Sequence, residues 1–236
     1  MKKSLMIGLI GIAASALLAA ESSPKDKVTN AARQLGDKPN YSWTTTSKEA
    51  DGSPGRLGTI EGKTEKSGIV YLSFTPGGVP VEVYMNGQKG AARATEGWQT
   101  FDDIAQTSGT AAAVVRFLRA YKSPAAQSTD LAGKVKELKE AEGALAGDLK
   151  EEAVQEMLLL GSRRREGQEP PKTTGAKGSV KFWLKDGTVT KCEVNVQGHV
   201  TAGEREMDIN RTTTTEIKEV GSTKMEVPAE AKAKME

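Results

Sequence analysis

The chain has 236 residues, 27% of them charged and 37% hydrophobic, with 33 Lys and Arg against 31 Asp and Glu. That near balance removes the surplus of basic charge on which nucleic-acid binding rests. One cysteine, Cys192, leaves no intramolecular disulfide to form, and one histidine, His199, excludes a two-histidine metal site or a Cys/His zinc cluster.

Met1-Lys2-Lys3-Ser4 leads into an uncharged apolar stretch from Leu5 to Ala20 that ends in small residues. This is the layout of a secretory leader. The stretch is shorter than the ~20 apolar residues that a bilayer core requires, and Gly8, Gly11 and Ser15 thin it further. Residues 1–20 are therefore read as a cleaved signal peptide, with cleavage after Ala20 or after Ser22 both open. No cysteine lies near that bond, so a lipid anchor is not available. Loss of Lys2 and Lys3 leaves basic and acidic residues equal in number. The expected product is periplasmic or secreted, has no stable membrane anchor, and folds as a single domain over residues 21–236.

A first helix is signalled by Ser23 as N-cap, Pro24 at the first helical position and Asp26 in the first turn. Val28, Ala31, Ala32 and Leu35 share its apolar face and Gly36 stops it. Strand signals follow from Tyr41 to Thr46, with a Gly-rich break from Asp51 to Gly58. In the run from Gly68 to Phe74, Ile69 and Tyr71 fall on one face and Val70, Leu72 and Phe74 on the other. Pro76-Gly77-Gly78 turns the chain, and Val79, Val81, Val83 and Met85 alternate with Pro80, Glu82 and Tyr84. Asn86-Gly87 then signals a hairpin. These segments read as an antiparallel meander.

Past Trp98 and Phe101 the period becomes helical: Ala111, Val114, Val115 and Leu118 share one stripe, and Pro124 closes the helix. A second helix is expected from Thr129, facing inward with Leu131, Val135 and Leu138. A third opens at Asp148 and Glu151, buries Val154, Met157 and Leu158, and stops at Gly161. Residues 162–177, with Arg163 to Arg165 and Pro170-Pro171, lack periodicity and read as a mobile, solvated loop. Strands return with Val180, Phe182 and Leu184, a turn at Asp186-Gly187, and Cys192, Val194 and Val196 on the returning face. Met207, Ile209 and Ile217 bracket Thr212 to Thr215, whose faces are ambiguous, and the segment from Ala229 to Glu236 reads as a frayed end.

No catalytic grouping emerges, so the expectation is not an enzyme and no cofactor. His199 beside Gly198 reads as a solvated turn residue, and Cys192, alternating with valines, as a small buried hydrophobe. The acidic pairs Asp102-Asp103 and Glu151-Glu152 sit where helix N-termini favour negative charge. What remains is shape: an α+β fold in which a strongly curved antiparallel sheet, an incomplete barrel, is covered by helices inserted mid-chain. Val70, Leu72, Phe74, Val81, Val83, Phe182, Leu184 and Val194 would point inward, with Val114, Leu118 and Leu158 as a lid. Such a sheet can close dry as a core or leave an apolar cavity, and the residues do not separate the two.

The layout, together with Phe182-Trp183-Leu184-Lys185-Asp186-Gly187 and the closing Val227-Pro228, resembles the superfamily of exported bacterial proteins that includes the LolA-like lipoprotein carriers and the mycobacterial LppX and LprG lipoproteins. The resemblance implies a cavity that holds acyl chains, and a lipid or lipidated protein as partner. Two features differ: Tyr41 to Thr46 holds none of the arginine that the carriers bear on an early strand, and there is no anchoring cysteine. The other class that fits is an envelope interaction or scaffold module with a filled core and no ligand.

Overall fold

The computed structural model describes residues 22–55, 57–93, 97–107, 109–159 and 169–235. The leader and its cleavage bond, the stop at Gly161 and the arginines 163–165 lie outside the described residues.

The chain opens with α1, Pro24–Gly36, capped as its sequence indicates: the Asp26 backbone N–H donates to Ser23 Oγ, and Pro24 takes the first helical position. Six strands follow: β1 Asn40–Glu49, β2 Ile60–Glu65, β3 Ile69–Phe74, β4 Val81–Asn86, β5 Lys89–Arg93 and β6 Trp98–Thr100. Three helices, α2 Phe101–Ala105, α3 Thr110–Arg119 and α4 Pro124–Lys134, lead to a hairpin of β7 Lys139–Ala141 and β8 Ala144–Asp148. After α5 Glu151–Leu159 come three long strands, β9 Lys172–Lys185, β10 Thr188–Ala202 and β11 Arg205–Lys218, and a closing helix α6, Ala229–Met235.

All eleven strands form one antiparallel sheet in the order β6-β5-β4-β3-β2-β1-β11-β10-β9-β8-β7. Two meanders, β1–β6 and β7–β11, thus meet where β1 pairs with β11, and α2 to α4 carry the chain from one edge of the sheet to the other. The sheet does not close into a barrel, and this curved, helix-covered α+β architecture is the fold class that the sequence indicates.

Several local expectations are corrected. Pro124 does not close a helix but opens α4, with Ser123 as N-cap accepting from the Ala126 N–H. A proline lacks only an N–H that the first turn leaves unpaired anyway. Val135 and Leu138 are buried, but beyond the end of α4. The Lys/Glu/Ala segment after them forms the β7–β8 hairpin because Glu142 and Gly143 both take positive φ, which a two-residue turn demands of its central pair. Residues 172–177, expected as part of a loop, belong to β9 and pair with the far end of β10. The tail is not frayed: Ala231 is fully buried, and Met225, Val227 and Met235 pack with it against Tyr84, Ala91 and Trp98 on the outer face of the first meander. Tyr84 fixes it there by donating to the Glu226 carbonyl at 2.9 Å.

Two apolar clusters fill the inner side. The first gathers Trp43, Leu72, Phe74, Val83, Phe101 and Leu118, and the second Val28, Leu131, Val154, Val180, Phe182 and Val200. Inner-face glycines make room for large rings: a Cβ on Gly62 would fall 2.1 Å from the Trp43 indole, and one on Gly90 would fall 2.4 Å from Phe101. Burial at this density tolerates little change in volume.

Candidate functional site

Where the meanders join, β1 and β11 present successive cross-strand pairs to the inner face: Trp43 with Ile217, Thr45 with Thr215, Ser47 with Thr213, and Glu49 with Arg211. Alternation fixes this set, because a strand shows every second residue to one side. It also resolves the threonine run, with Thr213 and Thr215 inside and Thr212 and Thr214 outside. The hydroxyls of Thr45 and Thr215 meet at 2.9 Å, and those of Ser47 and Thr213 at 3.2 Å. Two hydroxyl pairs thus line the inner face of the join between the two meanders.

At the deep end of the seam, Trp43 is 1% exposed and its ring stacks on that of Tyr121, with centroids 6.4 Å apart. Burial pushes the Tyr121 phenol well above its usual range, opposed by the facing Trp43 indole and aided by Tyr41. Among the described residues the buried Trp43 Nε1 has no hydrogen-bond partner. Tyr41 is likewise raised by burial, offset by Ser123 and Ala125 at the start of α4.

Toward the other end the face is less covered. Thr45, Ser47, Glu49, Val194, Ile209, Arg211 and Thr213 are all half-buried, and Met207 is 44% exposed. Val194 is informative because its neighbours on the same face of β10, Cys192 and Val196, are buried. The inner face of the sheet thus keeps an accessible strip along its midline, apolar on the β10 side and hydroxylated on the β1 side.

The eleven residues singled out from the sequence divide between the clusters. Val70, Leu72, Phe74, Val81, Val83 and Leu118 are buried in the first cluster, and Val114 is half-buried against it. Leu158 and Phe182 are buried in the second, Val194 packs against it half-buried, and Leu184 touches both. Of these, Phe182 and Leu184 also floor the open pocket beside α1. The seam residues Thr45, Ser47, Thr213, Glu49 and Arg211 are absent from that set, although alternation counted outward from Trp43 and Ile217 points to them.

A separate open pocket of about 380 Å³ lies between α1 and the β7–β8 hairpin, floored by Leu145, Phe182 and Leu184. Its rim is tied by Lys27 and Glu140 at 3.2 Å. Other chemistry-bearing groups have ordinary settings. Burial pushes the Cys192 thiol up to about 12, with Glu193 adding to the shift, so the thiol stays protonated and unreactive. His199 accompanies Asp208 at 2.9 Å near the far end of the β10–β11 hairpin, and that contact raises its pKa. Among the described residues no cluster of three or more His, Cys, Asp or Glu could hold a metal ion, and no helix is long and apolar enough to cross a membrane.

The architecture defines a class: a helix-covered, incompletely closed antiparallel sheet with an accessible inner strip. No family model matches the sequence. No curated protein matches it either. Among solved structures it is similar to the Mycobacterium tuberculosis lipoprotein LppX, with 8% identity and a TM-score of 0.48 over 86% of this chain and 97% of that one. It is also similar to LprF from Mycobacterium bovis, with 9% identity and a TM-score of 0.47 over 89% of this chain and 100% of that one.

Proposed function

We propose that this protein is exported through its leader, folds as one domain over residues 21–236, and binds the acyl chain of a lipid or lipidated partner without catalysis. The observation that carries this reading is the accessible midline strip, where Val194 stays half-buried between two buried neighbours on the inner face of a sheet. Apolar surface held half-open beneath helices gains by covering a flexible hydrocarbon, at roughly 25 cal/mol for each Å² removed from water. Val194, Leu184 and Val114 are the residues of the expected set with surface left to offer. The fully buried ones shape the walls.

Mature protein purified from its own envelope and examined by native mass spectrometry tests this reading, with organic extraction identifying whatever departs. A stoichiometric acyl-chain ligand is expected. Apoprotein that also fails to take up a fluorescent fatty acid would overturn the reading in favour of a module with a filled core.

A further inference from the structure

Along the inner face of the β1–β11 seam, polarity rises step by step from Trp43 and Ile217, through two hydroxyl pairs, to Glu49 and Arg211. Opposite charges directly across a sheet attract, yet Arg211 makes no ion pair with any described residue, Glu49 included. Both charged groups are half-buried. The guanidinium therefore stands at the open end of the strip with its donors available to a third group. Its cross-strand neighbour on the other side is Val196, which is buried, and the next inner-face residues of β11 are Ile209 and Met207. A fixed cation beside apolar surface, at the polar end of a graded strip, matches a molecule with an oxyanion at one end and hydrocarbon at the other.

We infer that Arg211 is the head-group anchor of this site, taking the phosphate or carboxylate of a single-chain amphiphile whose hydrocarbon runs from Val194 past Thr213 and Thr45. The inference rests on the acyl-binding reading above and specifies its ligand class. A guanidinium suits the role because its planar fork donates two parallel hydrogen bonds to a carboxylate or phosphate. Glu49, across the strand, opposes a bare anion and keeps the head exchangeable. The hydroxyls of Ser47 and Thr213 lie one step deeper, where the polar-to-apolar junction of the ligand would rest.

The test titrates mature protein with palmitate, the lysophosphatidic acid of the same chain length and the corresponding uncharged monoacylglycerol, using calorimetry. Arg211→Gln is expected to weaken the two anionic ligands about tenfold, the order of one charge-assisted hydrogen bond lost at a partly solvated site, and to leave the monoacylglycerol unchanged. Glu49→Gln is expected to tighten both anions. The stronger of the two wild-type anions identifies the head as carboxylate or phosphate. If Arg211→Gln leaves all three affinities intact, or lowers all three equally, the head-group role is overturned while acyl binding stands. If wild-type protein binds none of the three, the acyl-binding reading itself fails.

Discussion

In the half of the sheet built from β2 to β6, strands of only 3 to 6 residues are covered on both faces, by helices within and by the C-terminal segment outside. The half built from β9 to β11 has strands of 14 and 15 residues, covered on the inner face by α1, α4 and α5. Its outer face carries Lys181, Trp183, Lys191 and Glu193, all half-buried, with Lys191 set over the Trp183 ring at 4.6 Å. A short strand gains enough by burying both sides, whereas a strand with one wet face needs length and strict alternation to hold its register. The two schemes meet at β1 and β11, where the first cluster reaches past the join only through Ile217, Val189 and Leu184, and hydroxyl pairs line the rest of the seam.

The sharpest way to probe that division is to damage one half and watch the other. Phe182 is fully buried in the second cluster and Trp43 lies deep in the first. Phe182→Ala is expected to cost about 3–5 kcal/mol, and denaturant unfolding followed by Trp43 fluorescence, in a variant lacking the other tryptophans, should shift by the full amount. A Trp43 signal that stays at the wild-type midpoint would show two independent units instead of one continuous sheet.

A smaller effect of either sign follows from the glycines. Gly62→Ala places a methyl 2.1 Å from the Trp43 ring and is expected to destabilise by about 1–3 kcal/mol. Gly133, in α4 with open space around its would-be Cβ, is expected to gain about 0.5–1 kcal/mol on replacement by Ala. Thermal melts of the two variants should move in opposite directions, and equal shifts would show that the indole does not lie over β2.

An effect of comparable size belongs to the seam. A double-mutant cycle on Thr45→Val and Thr215→Val is expected to give a coupling of about 1 kcal/mol for their mutual hydrogen bond. A coupling near zero would mean that the hydroxyls face solvent and not each other.

Much of the fold was legible because its determinants are local. The Ser23-Pro24 cap, the two-faced pattern of β3 and the Asp186-Gly187 turn all appear where the residues place them. The same Ser-Pro signature at Ser123-Pro124 was legible too, but the apolar period of α3 drew the proline into a stop. β2 was hidden because only Ile60 and Thr64 are buried residues with side chains on its inner face, and Gly62 leaves its place to an indole from β1. The tail helix owes its order to an aromatic surface on β4 to β6, over 100 residues away in sequence, which its Ala/Lys/Glu composition cannot reveal.

The site shows the same limit. Alternation identified inward apolar residues in both halves, but their division into two clusters depends on where α3 and α5 settle. The strip itself exists only because residue 45 meets residue 215 across a sequence separation of 170. The polarity gradient from Trp43 to Glu49 is visible along β1 alone, yet it becomes a binding surface only beside its counterpart on β11.

The most direct test of the central claim is backbone amide chemical-shift mapping by NMR as mature protein is titrated with a single-chain amphiphile. The expected result is a contiguous set of perturbations at Thr45, Ser47, Val194, Ile209, Arg211 and Thr213, along the inner face of the seam. Perturbations confined to the pocket around Lys27 and Glu140, or to the outer face, would contradict it.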